Sequence, residues 1–181
     1  MSRTWWEGGD DSFRRADELL KAVVMTPGVR LNVATILAPP YVMQAAQEHP
    51  HAVRLLGYLP HLQAIAIQRS CDLLVNLDNE NAAQVPGKLY EYLGAGVSIL
   101  HIGGDAAGGA AALVRSTGAG RHVRADHAEI ASALKDSLER KRRGEASLGP
   151  VAAPAAVADY SWERLASRFA DLAERVGRVR S

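Results

Sequence analysis

Short apolar runs of strand length alternate along this chain with longer stretches of helical period, and that alternation limits what it can fold into. Leu31–Leu37, Val53–Leu56, Asp72–Leu77 and Val97–Ile102 are apolar almost continuously rather than at every second residue, as strands buried on both faces are, and Arg121–Val123 adds a shorter one. Helical segments lie between them. The first follows an Asp10-Asp11-Ser12 cap, places Phe13, Ala16, Leu19, Leu20, Val23 and Val24 on one face, and stops at Thr26-Pro27-Gly28. Pro39-Pro40 opens another that reaches His49, and others cover Pro60–Ser70, Pro86–Ala95, Ala110–Arg115 and Ala128–Arg143. Strand and helix in strict alternation call for a parallel sheet covered by helices. The expected fold is therefore α/β: a doubly wound, Rossmann-like parallel sheet with helices on both faces.

Composition sets the limits. The chain has 181 residues, 48% of them apolar, with 21 basic against 20 acidic side chains, which excludes a disordered tail and a broad cationic surface for nucleic acid. The single cysteine, Cys71, excludes an internal disulfide framework and a cysteine-cluster metal site, and points to a reducing compartment, the cytoplasm. No run reaches the ~18–20 apolar residues of a membrane span, and the opening Met1-Ser-Arg-Thr-Trp-Trp-Glu7 lacks the apolar core of a secretory signal. A peripheral membrane contact is left to Glu139-Arg-Lys-Arg-Arg143, although cations at a helix end also complement its dipole.

The expected organisation is a nucleotide-binding domain over 1–143, a linker or crossing segment rich in Ala, Pro and Gly over 144–158, and a terminal helix over 159–181. Ser161 would cap that helix. Its Trp162, Leu165, Ala166, Phe169, Leu172, Ala173 and Val176 recur at helical spacing and are expected to pack back on the domain. At the other end, Trp5-Trp6 followed by Gly8-Gly9 reads as the stub of a first strand and its glycine turn. Because the first strand of a doubly wound sheet is central, so short a beginning suggests part of a longer protein.

The run from Asp72 to Leu100 carries the most chemistry. A buried strand delivers the chain to the carboxyl edge of the sheet, a loop crosses it, and a helix starts at Pro86-Gly87. Amides of Gly87, Lys88 and Leu89, facing outward with the positive end of the helix dipole, suit a diphosphate, and Lys88 adds a full charge. Glu91 shares a helix face with Lys88, and a carboxylate there can accept two hydrogen bonds from a ribose diol. The plain alternative is an exposed ion pair contributing roughly 0.2–0.5 kcal/mol.

Val85-Pro-Gly-Lys-Leu-Tyr-Glu-Tyr-Leu-Gly-Ala-Gly-Val-Ser-Ile-Leu100 resembles the donor-binding signature of the GT-B glycosyltransferases, in particular the family 4 type, where a PxKxxEYxAxGxPV run is typical. Val53-Arg-Leu-Leu-Gly-Tyr-Leu-Pro60, the Asp72–Leu77 strand and Asp159-Tyr-Ser-Trp-Glu163 resemble flanking parts of the same half, and Gly8-Gly9 match its first glycine turn. The resemblance covers nearly the whole chain but only the carboxyl-terminal, donor-binding half of such an enzyme. It implies that Glu91 holds the ribose of a UDP- or GDP-sugar. Lys88 and the amides of Gly87 and Leu89 would take the diphosphate, Gly57-Tyr58 would line the base, and Gly8 and Gly9 would close on the donor. It also implies hexosyl transfer to an acceptor held by a missing amino-terminal domain, with Lys88 and Glu91 as the catalytic pair and no required cofactor or metal. The isolated chain would be inactive. Ala83 stands where the family has the first glutamate of its E-x7-E pair, Ser98 stands where a proline is usual, and Arg14-Arg15 are uncertain counterparts of its basic pair.

Other signals carry less. Gly103-Gly104-Asp105 lacks the G-x-G-x-x-G spacing, Asp78 and Glu80 suit a turn as well as a cation, and His49, His51, His61, His101, His122 and His127 show no ligand spacing. Two rival readings remain: a non-catalytic scaffold that binds another protein, and a sugar-nucleotide epimerase of similar architecture.

Overall fold

The structure, a computed structural model, describes residues 16–78, 84–145 and 154–179. Its elements run α1 (Asp17–Val24), β1 (Leu31–Val33), α2 (Pro40–Glu48), β2 (Val53–Leu55), α3 (His61–Ser70), β3 (Leu74–Leu77), α4 (Gly87–Ala95), β4 (Ile99–Ile102), α5 (Gly109–Thr117), β5 (Gly120–Val123), α6 (His127–Arg142), α7 (Pro154–Ala158) and α8 (Trp162–Val179). Every strand pairing is parallel. β1 lies beside β2 with Leu31 opposite Val53, and β3, β4 and β5 form a second sheet in that order, with Leu74 opposite Ile99 and Ile99 opposite Gly120. Parallel sheets flanked by helices are the expected α/β, Rossmann-like class.

Successive strand residues point to opposite faces, and each face has its own core. Val75, Leu77, Leu100, Ile102 and Val123 join Leu31, Val33 and Val53 in one layer beneath α1, α2 and α6. Leu74 and Ile99 point the other way, into Leu89, Tyr92 and Leu93 of α4 and Leu113 and Val114 of α5. All four residues of β3 and of β4 are buried, and β4 is the central strand of its sheet. A Cβ on Gly120 would fall 1.8 Å from the Ile99 carbonyl oxygen, which is why β5 begins on a glycine rather than at Arg121.

Local chemistry sets the helix ends. The Asp126 carboxylate accepts from the Glu129 N–H at 2.9 Å and starts α6, a cap of the kind that contributes about 1 kcal/mol. Glu18 of α1 accepts from the His127 backbone N–H at 3.0 Å and from its ring Nδ1 at 2.7 Å, tying α1 to the start of α6. Ser161 accepts from the Arg164 N–H at 3.3 Å, so the expected cap of α8 is present.

Three expectations change. The strand anticipated over Leu31–Leu37 ends at Val33, and Ile36 and Leu37 are 75% and 74% exposed. Its partner β2 runs only to Leu55 before the chain turns at Gly57, whose φ is +69°, so no ladder exists to hold the later residues. The supposed linker contains α7, beside which Val157 and Tyr160 pack against the α4–α5 core. The stripe on α8 does not pack back on the domain: Trp162 is 86% exposed, and Leu165, Phe169, Leu172 and Val176 are exposed with it. Both faces of β3 and β4 are already covered, by α1, α2 and α6 on one side and by α4 and α5 on the other, so that core closes without the stripe on α8. Phe13, the Asp10–Ser12 cap, Trp5, Trp6 and Arg14-Arg15 lie outside the described residues.

Candidate functional site

Because the strands are parallel, the carboxyl ends of β3 and β4 and the beginning of α4 fall at one edge. Pro86, at φ −58°, leads into α4. Burial of Leu89, Tyr92 and Leu93 fixes that helix's rotation and leaves Lys88 and Glu91 together on its other side. Lys88 Nζ donates to Glu91 Oε1 at 2.5 Å, and Gln68 Nε2 of α3 donates to the same oxygen at 2.6 Å. Burial by itself would raise the Glu91 carboxyl. The hydrogen bonds from Lys88 and Gln68, with the Lys88 charge, outweigh it and hold the group below the usual glutamate value.

Gln68 is a component that sequence reasoning missed. It is 1% exposed, and its Oε1 is buried without a hydrogen-bond partner, an arrangement of the kind that costs about 1–3 kcal/mol. A glutamine within the Pro60–Ser70 helix gave no hint of this, since its contact with Glu91 spans 23 positions.

Of the three amides expected to face an anion, that of Leu89 donates to the Pro86 carbonyl at 2.9 Å and is used within the first turn. Those of Gly87 and Lys88 have no recorded partner among the described residues. Gly57 and Tyr58 follow β2 at the same type of strand end, with Tyr58 exposed, and no hydrogen bond joins them to the α4 pair. Gly8 and Gly9 lie outside the described residues. Two cavities among the described residues do not include Lys88 or Glu91: one of about 340 Å³ lies among α1, α2 and His127, and one of about 450 Å³ lies between β1 and β3.

A second polar group occupies the ends of β3–β5. Asn76, His101 and His122 sit side by side across the sheet. Asn76 Nδ2 donates to His101 Nδ1 at 2.8 Å, which leaves the His101 Nε2–H to face Asp78 Oδ1 at 3.9 Å. His122 Nε2 lies 2.9 Å from the Gly103 carbonyl oxygen. Burial pushes the His101 imidazole down, against the opposing charge of Asp78. The glycine pair after β4 now has a local reason. A Cβ on Gly104, at φ +69°, would lie 1.5 Å from Asp78 Oδ2, so only glycine leaves room for that carboxylate. Register is the signal that could have found this group: Asn76 and His101 occupy matching third positions of neighbouring strands.

Among the described residues, the one set of acid and imidazole atoms close enough to share a metal ion is Glu18, Asp126 and His127, which already serves as helix cap and interhelix tie. The cationic end of α6 is also engaged: Arg140 and Arg143 pair with Glu145, and Lys141 pairs with Asp72. None of the described helices is long and apolar enough to cross a membrane.

Comparison with known proteins bears on the fold. No protein-family model matches the chain, and no curated protein matches its sequence. Among solved structures it is similar to AviGT4, a glycosyltransferase involved in avilamycin A biosynthesis, at 15% identity and a TM-score of 0.62 over 92% of this chain and 49% of that one. It is also similar to Anabaena HepE, solved in complex with UDP, at 17% identity and a TM-score of 0.58 over 76% of this chain and 38% of that one. The fold is thus that of these glycosyltransferase structures, and the chain spans about half the length of the first and less of the second.

Proposed function

We propose that this chain is the donor-binding domain of a GT-B glycosyltransferase of the family 4 type, taking a UDP- or GDP-sugar and working with a second domain that holds the acceptor. The observation that carries this reading is the Lys88–Glu91 pair on the opening turns of α4, at the carboxyl edge of a parallel sheet. The glycosyltransferase-like fold and the UDP held by one structural neighbour support it.

On this reading Lys88 exchanges Glu91 for the donor diphosphate. It gives up a pair that contributes a few tenths of a kcal/mol for charge-assisted bonds roughly twice as strong as neutral ones. The amides of Gly87 and Lys88 and the positive end of the α4 dipole add to the field on that phosphate. As the sugar leaves, negative charge grows on the nucleoside diphosphate, and fixed positive charge at that point lowers the barrier. Glu91, kept ionised by Gln68, accepts the two ribose hydroxyls. Gly57-Tyr58 line the base and Gly8-Gly9 approach the phosphates.

Titration calorimetry of the intact chain with UDP, GDP and their sugars tests this. Binding weakened at least tenfold by Glu91→Gln and by Lys88→Ala, without loss of fold, is the expected result. Absence of heat with every nucleotide would overturn it and favour a non-catalytic scaffold, a reading to which the exposed stripe on α8 lends some weight.

A further inference from the structure

Ala64 and Gln68 are the buried residues of α3, and His61 lies one turn before Ala64, so the three share one side of that helix. That side carries the bond from Gln68 to Glu91 of α4. Glu91 thus receives two protein donors on a single oxygen, Lys88 Nζ from its own helix at 2.5 Å and Gln68 Nε2 from α3 at 2.6 Å. Its Oε2 has no recorded protein donor among the described residues.

The two donors differ in kind. Lys88 ends a flexible, partly exposed stem, and on the donor reading it leaves for the diphosphate. Gln68 is 1% exposed, and its amide has one workable orientation beside an ionised carboxylate. The opposite one would set its Oε1 against Glu91 Oε1 at the same 2.6 Å, two acceptors with no hydrogen between them. The orientation adopted leaves Gln68 Oε1 buried without a partner. A hydrocarbon of the same shape would bury no such acceptor. The amide therefore serves Glu91 and not the packing of α3.

We infer that Gln68 is a positioning residue for the Glu91 carboxylate, holding its plane so that both oxygens meet the 2′- and 3′-hydroxyls of a ribose and the site selects ribonucleotides over 2′-deoxyribonucleotides. This rests on the donor reading of Lys88 and Glu91. The terminal torsion of a glutamate is broad, so a carboxylate that lost Lys88 to a phosphate would otherwise turn freely. Gln68 stays on Oε1 and occupies one of the roughly four acceptor positions of the carboxylate, leaving one on each oxygen for the two hydroxyls. A rotor fixed beforehand loses less freedom on binding. The same bond governs charge. Burial raises the Glu91 carboxyl, and against it stand Lys88 on α4 and, on α3, Gln68 and the charge of His61. With Lys88 drawn away, Gln68 supplies the hydrogen bond that keeps Glu91 an acceptor.

The experiment uses the full chain with Gln68→Met, which keeps the reach of the side chain and removes the amide, and Gln68→Leu as a second apolar variant. Without nucleotide, carbon-13 NMR of the Glu91 carboxyl, assigned with Glu91→Gln, should show its titration midpoint raised by at least about 0.5 pH unit in either variant. Repeating the titration in a His61→Gln background separates the contribution of the imidazole. Calorimetry then compares UDP and GDP with their 2′-deoxy forms and with inorganic pyrophosphate. The unaltered chain should favour a ribose form at least about tenfold and the variants about threefold or less, with pyrophosphate affinity held within about twofold. An unmoved midpoint, or ribose selectivity kept in both variants, would overturn the inference while the donor reading stands. Absence of nucleotide binding by the unaltered chain would overturn the donor reading, and ribose selectivity with it, whatever the midpoint does. If neither variant folds, the Gln68 side-chain amide of the unaltered chain decides. Its proton resonances should follow the Glu91 titration and cease to do so in Glu91→Gln, and resonances indifferent to that titration would overturn the positioning role.

Discussion

The half of the molecule around β3–β5 and the half around β1–β2 obey the same parallel geometry with different results. Every residue of β3 and β4 is buried, with helices on both faces and pairing along β4 on both edges. In β2 only Val53 is buried, and β1 ends as soon as its single partner does. A strand's length is thus set by the neighbours that satisfy its backbone more than by its own apolar content: Ile36 and Leu37 are as apolar as Leu100 and remain in solvent.

The largest expected effect is on the well-paired half. Leu74→Ala removes a fully buried side chain from the α4–α5 core and should destabilise the chain by about 2–5 kcal/mol in denaturant unfolding, whereas Leu55→Ala on the exposed part of β2 should cost less than about 0.5 kcal/mol. Equal losses would erase the distinction. Next, His101→Leu leaves Asn76 buried without its partner and should cost about 1–3 kcal/mol. Asn76→Leu added to it should recover part of that loss, and a double variant worse than either single one would contradict the pairing. Smaller again, Asp126→Ala should cost about 1 kcal/mol through the N-cap of α6.

Acid separates the halves by pH. Burial holds His101 below its ordinary value of 6.5, so its neutral form is favoured on folding, and the stability this contributes is present above that value and lost as pH falls below it. Glu18 is lowered to about 2, by hydrogen bonds from Lys21 and then His127, from an ordinary 4.5. Its contribution is complete above 4.5 and disappears as pH falls toward 2. Unfolding followed against pH should lose stability first in a step that His101→Leu removes, then, at lower pH, in one that Glu18→Gln removes. A single step insensitive to either change would overturn the assignment.

How much of this was legible follows the range of each interaction. Pro39, Pro60, Pro86 and the apolar runs act locally, so the expected order of helices and strands is close to that observed. The Lys88–Glu91 pair was legible for the same reason, being one helical turn apart. Gln68 beside Glu91 and His101 beside Asp78 depend on contacts 23 residues apart in the chain, which no local spacing announces. The Gly103-Gly104 pair was visible, but its purpose was not, because Gly104 makes room for Asp78, the residue that follows the neighbouring strand. The stripe on α8 was read correctly as amphipathic, and its expected destination on the domain was wrong because both sheet faces already had their covering.

That last helix has 18 residues, about 27 Å at ~1.5 Å per residue, which in water is near the lower limit for a helix without tertiary support. With its greasy side uncovered, coil and helix are close in free energy, so small changes in surroundings will tip the balance. Whatever contacts Trp162 and Phe169 will do work twice, sheltering those rings and winding the backbone. Far-ultraviolet circular dichroism then becomes a gauge of contact, rising in helical signal as the tail finds a surface.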